Sequence, residues 1–212
     1  MSDYAKFGPQ VIGSQAKELC DEALALDIVD RTVRLVGEYH PKTAVHMLEV
    51  SRILAVFMTS NVVDYSHEEQ IQLIRTGALH DVGKLISVPL RVLDSSSPLA
   101  SDEWALIKQH PETGFRLAHV HELGAFALPI LLHHELQPNR YGIEQERNKV
   151  LAEFGESKKS LVTDDRKVWI DTTLLAVADQ YSARYPLSRS YSGKSRLYDV
   201  EDLEMLVKSD FI

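Results

Sequence analysis

Leu79-His80-Asp81-Val82-Gly83-Lys84-Leu85 sets a histidine beside an aspartate where an apolar helical pattern runs out. Packing alone does not explain that pair, because burying polar groups costs free energy unless they share a partner. Immediately upstream, Glu68 to Leu79 has helical period, with Leu73, Gly77, His80 and Asp81 on one face, and Gly83 reads as the exit from the helix.

Toward the N-terminus, Ser14 to Leu26 and Ile28 to Tyr39 read as amphipathic helices, punctuated by Asp27 and by His40-Pro41. From Thr43 to about Thr59 the pattern is again helical. His46, Val50, Ile53 and Phe57 share one stripe of it, so His46 faces inward. Asn61 to Ser66 is a polar break. Toward the C-terminus, Val88 to Ala100 carries Pro89 and Asp94-Ser95-Ser96-Ser97-Pro98 and reads as a loop. Ser101-Asp102-Glu103 then supplies a cap and an acidic first turn to a helix packed through Trp104 and Ile107, which Pro111 closes just after His110. A further helix from about Glu122 to Glu135 ends in Ile130-Leu131-Leu132-His133-His134-Glu135, before Pro138-Asn139-Arg140-Tyr141-Gly142 breaks it.

Gly142 to Lys167 reads as an insertion, its charged part from Gly155 to Arg166 an exposed loop. Val168 to Tyr181 is helix, with Thr172, Leu175, Ala176 and Asp179 on one face, and Asp199 to Lys208 reads as a closing helix. About eight helices and no convincing strand make the fold class all-α, a single-domain helical bundle. Within one compact unit, residues 1–42 are expected to form supporting helices packed on a core domain of residues 43–212.

At 212 residues and 44% hydrophobic content, the chain can bury one sizeable core. Its 23 basic and 31 acidic residues give a net charge of −8, which argues against broad nucleic-acid binding, so any phosphate chemistry has to be arranged locally. One cysteine, Cys20, excludes an internal disulfide framework. Met-Ser-Asp-Tyr lacks the cationic and apolar parts of a signal peptide, and no window approaches 18 uncharged apolar residues, so the expectation is a cytoplasmic protein without membrane spans. The oligomeric state is left open.

Seven imidazole or carboxylate groups then fall on one core: His46, His80, Asp81, His110, His133, His134 and Asp179. One inward histidine, His46 or His110 taken alone, is more often a hydrogen-bonded core residue than a ligand. The adjacent pairs His80-Asp81 and His133-His134 change that balance. A mixed nitrogen and oxygen set suits divalent ions, and seven donors exceed what one ion uses, so two metals sharing a carboxylate is the natural arrangement, with Asp81 as the bridge. Iron or manganese leads, with nickel, cobalt or zinc as alternatives. His40, His67, His119 and His121 lie in breaks or polar stretches and read as surface residues. Lys84 is either a solvated helix-end cation or a contact for a phosphate oxygen. Arg184, Arg189, Lys194 and Arg196 form a basic run without acidic residues, either solvated or phosphate-binding.

The stretch from Leu79 to Leu85 resembles the signature of the HD-domain metal-dependent phosphohydrolases. The order His46, His80-Asp81, His110-Pro111 with Gly114, His133-His134-Glu135 and Ala178-Asp179, over roughly Thr43 to Arg196, is similar to the HD-GYP subfamily, whose members hydrolyse cyclic di-GMP. The resemblance implies metal ligation by His46, His80, Asp81, His110, His133, His134 and Asp179, and a contact from Lys84 to the scissile phosphate or its nucleophile. The subfamily's Gly-Tyr-Pro is absent, Leu136-Gln137-Pro138-Asn139-Arg140-Tyr141-Gly142 standing in its place. Some members hold a third metal with a glutamate four residues before the first histidine; Lys42 stands there, which favours two ions.

Both routes imply two-metal hydrolysis of a phosphodiester or phosphomonoester of nucleotide type, with cyclic di-GMP one such substrate. Asp81 and Lys84 are the expected catalytic residues, and Lys84, Arg140, Arg184 and Arg189 the expected clamp on a small phosphorylated substrate. The alternative is a catalytically silent, metal-containing domain that senses a nucleotide or presents a surface to a partner protein. Oxygen activation at a diiron-type site is a third, weaker option.

Overall fold

The helical pattern around residue 80 builds a bundle in which the chain crosses itself at its smallest residues. The computed structural model describes residues 13–60, 63–120, 124–135 and 165–184. Ten helices lie within them: α1 (Ser14–Leu24), α2 (Asp27–Tyr39), α3 (Pro41–Thr59), α4 (His67–Leu79), the single turns α5 (Lys84–Ser87) and α6 (Leu90–Leu93), then α7 (Ser101–Lys108), α8 (His110–Val120), α9 (Gly124–Leu132) and α10 (Asp165–Arg184). No strand occurs among the described residues, and the architecture is an all-α, single-domain bundle. No described helix is long and apolar enough to cross a membrane. Arg140, Arg189, the stretch after Glu135, most of the expected insertion and the expected helix from Asp199 to Lys208 lie outside the described residues.

Two apolar clusters fill the interior. Ala16, Leu19, Cys20 and Ala23 of α1 pack with Val50, Leu54 and Phe57 of α3, Ile71 and Ile74 of α4 and Leu175 of α10. Val29, Val33 and Val36 of α2 pack with Met47 of α3, Phe115 of α8 and Ala127, Leu128, Ile130 and Leu131 of α9. Burial in these clusters drives the assembly, since area removed from water is the dominant favourable contribution to folding. Helices α3 and α4 contribute to both, and their crossing is unusually close. A Cβ on Gly77 would stand 2.6 Å from Leu54 Cδ1 and 3.3 Å from the Ser51 backbone. Ser51 reinforces the crossing by donating to the Ile74 carbonyl at 3.2 Å.

Several local expectations are corrected. Asp27 is not a break but the first residue of α2, where its charge favours the helix N-terminus. Gly83 does not leave the helix in a left-handed conformation; its φ of −59° suits any residue. Glycine is required there because a Cβ would stand 1.9 Å from the His110 carbonyl oxygen. The segment from Val88 to Ala100 contains the turn α6, so it is not wholly loop.

Helix α7 starts with Ala100 at the capping position, where Glu103 accepts from the Ala100 N–H at 3.0 Å. It buries none of its residues, and Trp104 is 45% exposed, so this short helix is not packed as its pattern suggests. Pro111 does not close α7 but occupies the second position of α8, in a first turn where a missing N–H costs nothing. His40 is not on the surface: at 6% exposure it caps α3, its Nδ1 accepting from the Thr43 N–H at 3.2 Å, ahead of Pro41. His67 is exposed as expected.

Candidate metal centre

Five segments bring the expected residues together. His46 comes from the middle of α3, His80 and Asp81 from the end of α4, His110 from the junction of α7 and α8, His133 and His134 from the end of α9, and Asp179 from α10. His80, His110 and His133 are fully buried, Asp81 is 1% exposed, and Asp179 and His134 are 6% and 8% exposed. The close approach of Gly83 to His110 and of Gly114 to the His80 carbonyl, 3.5 Å from a Cβ placed on Gly114, presses the turn after Asp81 onto the start of α8. That contact carries His110 to Asp81.

Three of the histidines are oriented by their own helix ends. The last carbonyls of a helix lack amide partners within it. The ring of His80 donates from Nδ1 to the Gly77 carbonyl at 2.8 Å, that of His110 to Ile107 at 2.6 Å and that of His133 to Ile130 at 2.6 Å. A carbonyl only accepts, so each of these Nδ1 atoms carries the proton and each neutral ring presents a lone pair at Nε2.

Those lone pairs converge on one another. Nε2 of His110 lies 3.4 Å from Nε2 of His133, 3.3 Å from Nε2 of His134 and 3.1 Å from Asp81 Oδ1. On the other side, His46 Nε2 lies 2.9 Å from Asp179 Oδ1 and 3.8 Å from Asp81 Oδ2, while His80 Nε2 lies 3.6 Å from Asp81 Oδ2 and 3.7 Å from Asp179 Oδ1. His80 Nε2 and Asp81 Oδ1 are buried without a hydrogen-bond partner, a costly arrangement in a protein interior. A buried set of acceptors aimed at acceptors is what a cation stabilises.

Among the described residues, two groups of donors are close enough to hold an ion: His110 with His133 and His134, and His46 with His80 and Asp81. Asp81 reaches both groups, one carboxylate oxygen on each side. Such a mixed nitrogen and oxygen set fits divalent transition metals, and the Gly77, Ile107 and Ile130 carbonyls that fix three ring tautomers are the usual support of a histidine ligand. The seven expected donors therefore share one site, with Asp81 at its middle.

Charge in the site is polarised in the same sense. Burial raises the pKa of Asp81, but Lys84, His80 and His110 together overcome it and hold the carboxyl well below the ordinary range. Burial likewise opposes ionisation of Asp179, and the hydrogen bond from His46, with the charge of His46 and His80, holds it well below. Burial, then the neighbouring His134, His80 and His110, keep His133 far below the usual imidazole value and hence neutral. Burial also lowers His110. His80 is raised, burial being outweighed by Asp81 and Asp179. The two carboxylates thus draw positive charge toward an Nε2 that lies beyond hydrogen-bond reach of either.

Lys84 places Nζ 2.5 Å from Asp81 Oδ2, with 21% of its side chain exposed, so it is a cation at the rim of the site. Arg184 ends α10 and is exposed. Two participants escaped the sequence reading. Ser182 Oγ lies 2.9 Å from His46 Nδ1 and 2.9 Å from Glu49 Oε2, and both Ser182 and Glu49 are 1% exposed. A glutamate three residues after His46, among the apolar positions of α3, was the available signal.

In an 84-position alignment that covers 37% of the chain, it is 32% identical to a cyclic di-GMP phosphodiesterase of Pseudomonas aeruginosa. The match spans 20% of that protein. No family model matches the chain, and no solved structure does. The similarity is to part of a phosphodiesterase, alongside a cluster of histidine and carboxylate groups that can hold metal.

Proposed function

We propose that the chain is a metal-dependent phosphohydrolase of the HD-domain type, which cleaves a phosphodiester or phosphomonoester of a small nucleotide-like substrate. The observation that carries this reading is the convergence of buried ring Nε2 atoms and Asp81 without donors among them. His110, His133 and His134 would hold one divalent ion, and His46, His80 and Asp179 the other, with Asp81 shared. When bound, such ions supply a water of lowered pKa and Lewis acidity at the phosphoryl oxygens.

The chain's own groups do the rest. His80, His110 and His133 arrive with their tautomers set, so little reorganisation accompanies loading. Lys84 holds Asp81 Oδ2 from the rim and offers its remaining N–H donors to a phosphate oxygen entering there. That cation lets an acidic protein accept an anionic substrate. Arg184, Arg140 and Arg189 are proposed as further phosphate contacts. Two ions rather than three follow from Lys42, an exposed cation tied to Asp94 at 3.3 Å where a third-metal carboxylate would stand.

The similarity to a cyclic di-GMP phosphodiesterase makes that dinucleotide the first substrate to test. Full-length protein loaded with Mn²⁺ or Fe²⁺ is expected to linearise it, and to cleave bis(p-nitrophenyl) phosphate, with activity abolished by chelation. Absence of turnover with either compound across manganese, iron, cobalt and nickel would sink the enzymatic reading. The altered stretch after Glu135 favours one alternative, a silent nucleotide sensor. Calorimetric binding of the dinucleotide without turnover would select it.

A further inference from the structure

His46 differs from the other oriented histidines in its place. It lies inside α3, where the carbonyls one turn back accept amides of the helix itself. Its ring has no free helix end to close upon. Instead its Nδ1 meets Ser182 Oγ from α10, and Ser182 in turn meets Glu49, which stands one turn after His46 on α3. A hydroxyl has a single proton to donate and a carboxylate has none. Ser182 therefore donates to Glu49 and accepts from His46, whose Nδ1 must carry the proton. Nε2 is left facing the carboxylates, hydrogen-bonded to Asp179 Oδ1 at 2.9 Å and 3.8 Å from Asp81 Oδ2.

We infer that Glu49 and Ser182 are positioning residues that set the His46 tautomer, doing by side chains what helix-end carbonyls do for His80, His110 and His133. The inference rests on the metal reading given above only for its consequence, which is tighter holding of metal on the His46 side. Neither residue is among the seven donors, and both act through His46. Because Ser182 belongs to α10 and Glu49 to α3, the relay also makes the state of His46 depend on how those helices are seated together.

Nitrogen-15 spectra of the histidine rings in the metal-free full chain test the relay directly. In wild type, His46 Nδ1 is expected to carry a proton. Ser182→Ala removes its acceptor, and Glu49→Met frees the serine proton to turn toward Nδ1, so both variants should move His46 toward the Nε2–H form. Thermal melts of both check that the fold is kept, and either variant suffices if the other fails to fold. A wild-type Nδ1 without a proton, or unchanged His46 signals in the folded variants, overturns the inference. Titration with Mn²⁺ alone should then show Ser182→Ala binding about 10- to 100-fold more weakly. Equal affinity would overturn the consequence for metal. A wild type that takes up no Mn²⁺, Fe²⁺ or Zn²⁺ would defeat the metal reading, while the ring spectra still decide the relay.

Discussion

Histidines at helix ends and a histidine in mid-helix reach the same site by different means. His80, His110 and His133 each close back on a carbonyl three residues earlier, so the backbone that ends the helix also orients the ring. His46 relies on Ser182, 136 residues away, and through it on Glu49. The first arrangement is local and needs only that the helix stop in the right place. The second needs two helices to be correctly packed. Secondary structure therefore sets the rings of His80, His110 and His133, and tertiary structure sets that of His46.

Asp81 joins the two sides, and its loss should have the largest effect. Asp81→Ala removes the carboxylate that faces His110 with one oxygen and His46 and His80 with the other. Metal content is expected to fall from two equivalents to at most one, with phosphodiester turnover at background. Retention of two equivalents would show that the sides are independent sites. Gly83→Ala attacks the helix-end side alone. Its new Cβ meets the His110 carbonyl at 1.9 Å and the Gly114 nitrogen at 2.7 Å, backbone atoms that do not move aside as a side chain would. A loss above about 3 kcal/mol is expected, at or beyond the upper end for overpacking. Urea unfolding measures it, and a loss under about 1 kcal/mol would mean that the close turn does not hold His110 in place.

Protonation sharpens the contrast, because the helix-end rings must stay neutral to point a lone pair inward. His133 and His110 have pKa values below the ordinary imidazole value, burial being the first cause in both. A depressed histidine leaves stability intact above the unfolded value and lowers it as pH falls below that value, since the unfolded chain then binds the extra proton. His80 has the opposite sign. Its raised pKa adds stability at low pH that is lost as pH rises through the folded value. Two groups oppose one, so the metal-free protein should unfold at lower urea at pH 5.5 than at pH 7.5. Mn²⁺ binding should weaken in the same direction, as protons compete for the imidazoles. Greater stability at pH 5.5 would mean that His80 dominates the site.

The helix-end side was also the more legible one. His80-Asp81 and His133-His134 announce themselves as adjacent polar groups ending apolar runs, and the period of α10 places Asp179 inward without knowledge of its neighbours. Proline misled the reading twice in the same manner. His40-Pro41 and His110-Pro111 both look like stops, yet each opens a helix, because a proline in the first turn removes an N–H that has no helical partner anyway. His40 is thus a buried capping residue rather than a break, and His110 reaches the cluster from the start of a helix rather than from its end. Trp104 was misjudged because α7 is too short and too peripheral for an amphipathic pattern to guarantee burial. Nothing in the local sequence pairs Glu49 with Ser182, whose contact spans 133 residues.

The tertiary side has one further support, and it yields the smallest expected effect. Two turns before Asp179, Asp171 on α10 accepts from the Tyr65 hydroxyl, and Lys167 lies 3.5 Å from Asp171 and 3.9 Å from the centre of the Tyr65 ring. Burial raises the pKa of Asp171, while the Tyr65 hydrogen bond and Lys167 oppose the rise. This contact ties α10 to the segment entering α4, and so helps set the register that brings Asp179 and Ser182 to His46. Tyr65→Phe keeps the ring and removes only the hydroxyl, for an expected loss of about 1 kcal/mol in urea unfolding. The informative readout is its distribution. The His46 ring signals should shift, while those of His80, His110 and His133 stay in place because each carbonyl partner lies only three residues earlier in the chain. Equal shifts at all four rings would show that α10 positions the whole centre, and would remove the distinction between its two sides.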